Sequence, residues 1–599
     1  MNRLEHGVCL LALLCGFTVP ATAQRQLERL DRGLVAIHEG QGKVFVSWRL
    51  LASDPPGVAF NVYRAGGGEP VRLNPEPFAG PTHWIDTAAP LNQPLAYTVR
   101  PILDGKEGDA SQPIEIKPGT EPRPYLSVPL QTPDGYTPSD ASVGDLDGDG
   151  QYEIVLHQVG RGRDNSQRGQ TSEPILQAYC LDGRLLWTIN LGRNIREGAH
   201  YTQFMVYDLD GDGRAEVACK TADGTVDGQG KTIGDPAADH RNAAGYVLEG
   251  PEFLSVFDGP TGAALATVDY IPPRGDVAAW GDNYGNRVDR FLACIAYLDG
   301  RRPSLVMCRG YYTRAVLAAW DWRDGKLTQR WVFDSDDGTQ GNRAYRGQGN
   351  HSLAVADVDG DGREEIVYGS ATIDDDGRGL YSTGLGHGDA LHVADLDPAR
   401  PGLEVWAIHE NERGQPRRPG ATLRSAASGE ARFAALAGRD VGRGLAADID
   451  PRHPGAELWT NNGGLWNAKG QEIGSRPRSC NMAIWWDGDL QRELLSGVDI
   501  AKWDYAAGRE TPLLVGREFG VASNNGSKQN PCLSADILGD WREELVARTR
   551  DGRELRIFTT TIPTEHRLVT LMHDPQYRLG VAWQNVAYNQ PPHLSYFPK

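Results

Sequence analysis

Three stretches of the chain space acidic residues as a site for a hard cation would. "VGDLDGDGQYEIVL" places Asp145, Asp147 and Asp149 two apart, threads Gly148 and Gly150 between and after them, and returns Glu153 at the ninth position. "VYDLDGDGRAEVACK" repeats this with Asp208, Asp210, Asp212 and Glu216, and "VADVDGDGREEIVYG" with Asp357, Asp359, Asp361 and Glu365. Alternate side chains converge on one locus, the glycines permit the sharp turn, and clustered carboxylate oxygens suit Ca²⁺, which takes roughly six to eight oxygens at about 2.3 to 2.6 Å. The loop is not an EF-hand, whose closing Glu comes later and whose flanks are helices; here Glu153 opens a strand-like "EIVL". Weaker copies follow. One extra residue separates Asp395 and Asp397 from Glu404, and Asp448 and Asp450 from Glu457. Asp487, Asp489 and Glu493 form a shortened version, and Asp536, Asp540 and Glu544 keep the spacing with Leu538 in the middle. Calcium held in these loops is expected to pin the turns and to do no chemistry.

The elements that position these loops read as strands. With 72 Gly, 38 Pro and 15 Trp in 599 residues and few apolar runs of helical period, the composition favours short strands joined by tight turns, an all-β chain. The segment "LACIAYLDGRRPSLVMCRG" repeats the strand, turn, strand rhythm around Asp299 without the ligands, which brings the units to eight. Uneven repeat spacings of roughly 40 to 90 residues fit a propeller with insertions better than a solenoid. An eight-bladed β-propeller over 125–599, with no helix pattern, is therefore expected. Residues 24–120 lack the loops and alternate with period two in "KVFVSWRLL", "VAFNVYRAG" and "LAYTVRPIL". Buried Trp48, Tyr63 and Tyr97 are expected there in a fibronectin type III-like β-sandwich, with "IKPGTEPRPYLSVP" as a linker.

Residues 1–23 carry an apolar stretch and an Ala-x-Ala ending at Ala23, the pattern of a cleaved signal peptide, so a secreted or periplasmic location is expected. No later segment reaches the roughly 18 apolar residues of a membrane span. Six cysteines follow the leader without the spacing of a zinc site. A chain this large needs no disulfide staples, so buried, unpaired thiols are expected. A formal charge of −18 argues against a nucleic-acid partner, whose binding relies on clustered Lys and Arg. The chain is expected to act as a monomer.

Beyond the repeat, "GAHYTQFMVYDLDGDG", "KTADGT", "YGNRVDRFLA", "GNHSLAVADVDGDG", "DVGRGLAADIDPRHPGAE", "IWWDGDLQRELL" and "NNGSKQNPCLSADILGDWREE" together resemble the rhamnogalacturonan lyases of polysaccharide lyase family 11. The resemblance runs over nearly the whole mature chain, including "GLVAIHEGQGKVFVSWRLL" near its start. It implies an eight-bladed propeller with several calcium ions, and cleavage of the rhamnose-α-1,4-galacturonate bond of rhamnogalacturonan I by β-elimination. That reaction needs an acidified C5 proton, a base to take it and a stabilised O4 leaving group. A cation on the C6 carboxylate would serve the first need.

The resemblance directs attention to Lys528 in "NNGSK" as the C5 base, since a Lys near other cations loses its proton more readily. Arg443 in "DVGRGLAAD" is its partner, either holding the substrate carboxylate or acting at the base or leaving-group position. Without the resemblance, Lys528 would read as a solvated loop lysine and Arg443 as half of an ion pair between blades. Asn525, Gly526, Ser527, Tyr588 and Asp164 carry over as sugar contacts; Ser527 stands where the family often has Thr, and "HQVGRGR" before Asp164 departs from the family pattern. Tyr588 reads equally well as an aromatic closing the last blade. His351 and His387, each shortly ahead of an acidic loop, are either metal neighbours in the cleft or hydrogen-bonded core groups. Exo-acting members carry an added loop that blocks one end of the cleft; "RFAALAGRDVGRG" shows no such insertion, which favours the endo mode. A non-catalytic carbohydrate-binding propeller would not need Lys528 and Arg443 together, and a glycoside hydrolase would need a carboxylate pair free of the loops.

Overall fold

The computed structural model describes residues 25–411, 413–585 and 588–599, so the signal-peptide expectation lies outside the described residues. The described residues are all-β apart from one α-helix and short 3-10 turns. Among the described residues no helix is long and apolar enough to cross a membrane. Among the described residues, Cys180, Cys219, Cys294, Cys308, Cys480 and Cys532 are buried and unpaired.

Two sheets occupy the first part of the chain. Val35–Gly40, Lys43–Ser47 and His83–Asp86 form one; Ala59–Ala65 and Leu95–Leu103 pair at the centre of the other. Trp48, Phe60, Val62, Tyr97 and Val99 fill the space between them. Trp48 and Tyr97 are buried as expected, but Tyr63 is not: it points outward, and its hydroxyl donates to Glu107 at 2.5 Å. The supposed linker is also shorter than expected. Ile114–Ile116 pairs with Leu95–Leu103, and Tyr125–Pro129 pairs with Glu554–Phe558 at the far end of the chain, so only 117–124 connects. Prolines concentrated in that middle portion mask the strand character of both flanks.

From Thr137 onward the chain builds antiparallel sheets, mostly four-stranded, one after another. Their first strands touch in turn, from Thr137–Gly144 through Phe204–Tyr207, Phe291–Ala296, Ala354–Ala356, Ala390–Ala394 and Gly444–Ala447 to Met482–Ile484, and Leu533–Ala535 returns to Thr137–Gly144. This is the arrangement a propeller requires. The last sheet takes its outer strand, Tyr125–Pro129, from the opposite end of the chain, which leaves fewer unpaired edges.

Helix α1, Pro575–Ala582, was not expected; at eight residues it is too short to show a helical period. Pro575 begins it and Asp574 caps it, accepting from the Tyr577 amide. The helix is buried and packs against first strands of four sheets, Thr137–Gly144, Phe204–Tyr207, Phe291–Ala296 and Ala354–Ala356. Arg578 on this helix makes a bidentate pair with Glu28, with both contacts at 2.8 Å, and donates to the carbonyls of Val143 and Val206. Its guanidinium also lies 4.7 Å from the Tyr207 ring centre. The segment around Glu28 thus meets helix α1 among the first strands of the sheets.

Burial alone would raise the Glu28 carboxyl, but Arg578 holds it below its ordinary value of 4.5. The sign follows: the stabilisation is complete above the unfolded value and is lost as pH falls through the depressed folded value. Glu28→Gln, which leaves Arg578 buried without its counter-charge, is expected to cost about 3 to 5 kcal/mol at neutral pH, read as a lower urea midpoint.

Candidate active site

Each acidic loop joins the first strand of a sheet to its second, whereas His351, His387, Arg443 and Lys528 precede first strands. The first strands therefore run from a face that carries these side chains to a face that carries the loops. At about 3.3 Å per residue, strands such as Phe204–Tyr207 and Thr137–Gly144 hold the two groups more than one sugar ring apart.

On the first face, Asp164, His200, Asn525, Gly526, Ser527, Lys528 and Tyr588 line one cleft of about 670 Å³. Lys528 Nζ stands 3.8 Å from the centre of the Tyr588 ring, and the Arg443 guanidinium 5.0 Å from the same centre. Sequence residues far apart are brought onto one aromatic platform. Tyr588 in turn stacks on His351, with centroids 4.0 Å apart and an 8° interplanar angle, so it is a wall of the cleft. Burial, reinforced by the neighbouring Arg443 charge, holds the Lys528 ammonium below its ordinary value. Burial also lowers Arg443, and both of its terminal nitrogens are buried without a hydrogen-bond partner. Such orphaned donors need an acceptor, and a carboxylate is the best match for a guanidinium fork.

Lys528 sits on a tight turn, Gly526–Lys528, bracketed by Asn525 at φ 57° and Gln529 at φ 52°. Left-handed backbone at non-glycine residues costs energy and persists where surroundings enforce it. Asp140 supplies part of that enforcement, accepting from Asn525 Nδ2 at 2.9 Å, while Asn481 donates to the Lys528 carbonyl at 2.8 Å. Asp164 accepts from the Ser166 amide and hydroxyl at 2.9 and 2.6 Å and lies 3.7 Å from Arg290. Burial would raise its carboxyl, but these contacts keep it below the ordinary value.

His351, His387 and Glu410 place one ligand atom each within 4.8 Å of one another, the geometry of a candidate metal centre. Nδ1 of His387 donates to the Gly349 carbonyl, which leaves the Nε2 lone pair facing Glu410 at 3.4 Å with no hydrogen bond. That is the tautomer a metal-binding imidazole needs. His351 is already engaged by the hydroxyls of Tyr311 and Tyr312, at 3.1 and 3.0 Å. Sequence reasoning missed Asp140, His200, Arg290, Tyr311, Tyr312 and Glu410. Their shared signal is positional: most lie just ahead of a first strand or just past its partner.

On the opposite face the acidic loops divide. Asp145, Asp147 and Glu153 cluster, as do Asp208, Asp210 and Glu216, and Asp357, Asp359 and Glu365. Asp149, Asp212 and Asp361 are exposed and cap the turns through backbone amides. Burial pushes Glu153 and Glu216 up to about 8 and Glu365 up to about 9, and Glu365 Oε1 is buried without a partner. These oxygens fit a divalent cation. Glu457, also pushed up to about 9, and Asp448 keep orphaned oxygens too, although Asp450 is turned to Arg452 at 2.8 and 2.6 Å.

The other loops do not fit the expectation as it stood. Glu404 is paired with Arg432 and Asp397 with Arg400, which leaves Asp395 without an acidic ally free of arginine. Asp540 is bidentate with Arg542, while Asp536 accepts from the Thr570 hydroxyl and the Leu571 amide, and Glu544 from two backbone amides. Asp487, Asp489 and Glu493 surround the ammonium of Lys502. Arg400 and Arg542 lie within their own loops, whereas Arg432 and Lys502 come from strands outside them, where the spacing of the acidic residues gives no sign of them.

Residues 125–598 match the family model described as rhamnogalacturonan lyase family 11, C-terminal domain, and residues 25–116 match the rhamnogalacturonan I lyases beta-sheet domain. The chain is 55% identical to rhamnogalacturonan endolyase YesW of Bacillus subtilis (strain 168), over 100% of this chain and 96% of that protein. It is 53% identical to rhamnogalacturonan exolyase YesX of the same organism, over 96% and 95%. The crystal structure of YesW superposes with a TM-score of 0.91 at 56% identity, covering 96% of this chain and 97% of the other. A matched model spanning most of the chain and relatives alike over their full length leave one conclusion: the protein belongs to rhamnogalacturonan lyase family 11 and is a polysaccharide lyase.

Proposed function

We propose that the protein cleaves rhamnose-α-1,4-galacturonate bonds within rhamnogalacturonan I by β-elimination, leaving an unsaturated galacturonate on the new non-reducing end. The observation that carries this reading is the placement of Lys528 and Arg443 on the single ring of Tyr588 inside the cleft. Lys528, with its proton loosened by burial and by Arg443, takes the C5 proton as a neutral amine. The orphaned Arg443 nitrogens hold the C6 carboxylate. The C4–O4 bond breaks as the C4=C5 double bond forms, the electron pair leaves on O4, and the proton now on Lys528 is available to neutralise it. Asn525, Gly526, Ser527, Asp164 and Tyr588 position the sugars. Calcium held by Glu410 and the Nε2 of His387, with His351 beside it, would supply charge stabilisation for the carboxylate as C5 loses its proton.

The rest of the reading follows the architecture. Residues 24–120 form a fibronectin type III-like sandwich, supported by three strands in one sheet and the remaining strands in the other. Residues 125–599 form an eight-bladed propeller, supported by the succession of first-strand contacts. Calcium in the loops at Asp145, Asp208, Asp357 and Asp448 is structural. The connection 437–443 ahead of Arg443 carries no inserted element, which favours endo action. The chain acts as a monomer, secreted or periplasmic after removal of residues 1–23.

With rhamnogalacturonan I, the ultraviolet absorbance of unsaturated uronate is expected to grow, and Lys528→Ala to slow it by about 10²- to 10⁴-fold with the fold intact. Early products are expected to be long; release of short products from the start would mean exo action. A second expectation concerns protons. With the closing glutamates at about 8 to 9 in the absence of a cation, they are protonated at neutral pH, so Ca²⁺ uptake should release protons. Calorimetry at pH 7 in buffers of different ionisation enthalpy would read this, and the release should vanish as pH rises past about 9.

A further inference from the structure

We infer that the loop of Asp487, Asp489 and Glu493 is neutralised from within the chain: the Lys502 ammonium occupies the place a divalent cation would take, so this loop binds no Ca²⁺. Lys502 Nζ lies 2.8 Å from Asp487 Oδ2, 2.8 Å from both carboxylate oxygens of Asp489 and 2.8 Å from Glu493 Oε1. An ammonium has three protons to donate and no acceptor capacity, so a tripod of carboxylates satisfies it fully. The same three residues cannot hold an ammonium and a metal together, because two cations at one locus repel.

The register explains how the substitution arises. Leu494 faces Ala501 across the sheet, so one step further Glu493 faces Lys502. The same extension in the other sheets puts Cys180 opposite Glu153, Asp258 opposite Glu216 and Asp374 opposite Glu365. At those three positions the facing residue is neutral or acidic. Among the described residues no Lys or Arg nitrogen lies within ion-pair distance of Asp145, Asp147, Glu153, Asp208, Asp210, Glu216, Asp357, Asp359 or Glu365. Near Glu365 the facing residue joins the acidic cluster itself, since Asp374 and Asp375 gather with that glutamate. At the loop of Asp487 the strand position facing the closing glutamate supplies the cation itself, and Lys502 makes that loop independent of metal.

This inference rests on the reading of the other loops as calcium sites, and the experiment separates the two. Crystals of the wild-type chain soaked in Tb³⁺ should show anomalous peaks at the loops of Asp145, Asp208 and Asp357 and none between Asp487 and Glu493. A peak at Asp487 overturns the inference; no peak at any loop overturns the calcium reading and the inference with it. Metal analysis of dialysed protein should give Lys502→Ala one more equivalent of Ca²⁺ per chain than wild type, and Lys502→Arg the same number as wild type. A folded Lys502→Ala with unchanged stoichiometry contradicts the inference. If that variant does not fold, the wild-type anomalous map decides.

Discussion

Buried carboxylates at the turn of sheet after sheet impose the constraint on which the architecture depends. A glutamate that opens a second strand spends its Oε2 on the backbone amides of its own turn, as Glu153 does on Leu146 and Glu457 on Ile449 and Asp450. The other oxygen is left in a desolvated place where an unpaired negative charge is costly. The chain meets this demand in more than one way. Arginine covers Glu404, an ammonium fills the loop of Asp487, and the three-aspartate loops gather oxygens suited to a metal. Turn geometry is common to all of them; the cation is a local choice.

Keeping that demand on one face leaves the opposite face to chemistry. There the cations are only partly satisfied: Lys528 and Arg443 rest on an aromatic ring, and the Arg443 nitrogens lack partners. The left-handed Asn525 and Gln529 around Lys528 are the kind of backbone cost a protein keeps where a side chain must be aimed. Asp140, on a first strand, ties the turn to the rigid sheets, so the amine is held by scaffold and not by loop alone. His351 stacked beneath Tyr588 extends the same support towards the candidate metal centre.

Much of this was legible in the chain. The acidic repeats and Gly-rich turns announced all-β architecture and metal-ready loops because both follow local rules of spacing. Long ordered matches to a known family pointed to Lys528, Arg443 and Tyr588, which no local pattern would have brought together. What escaped was long-range. The Lys502 and Arg432 cations reach loops from strands beyond them, and Glu410 joins two histidines only in three dimensions. Helix α1 escaped because eight residues buried on all sides carry no amphipathic signal. Tyr63 misled because alternation tells which residues share a face, not which face is inside.

The central claim is that the Lys528 amine, with its proton loosened by burial and Arg443, is the base. Its most direct test is the pH dependence of kcat for Lys528→Cys before and after alkylation to a thia-lysine, whose amine is more acidic than that of lysine. The account predicts that Lys528→Cys is inactive, that alkylation restores turnover, and that the rise of kcat with pH moves to lower pH than in wild type. Restored turnover with an unshifted rise, or full activity of Lys528→Cys without alkylation, would contradict it.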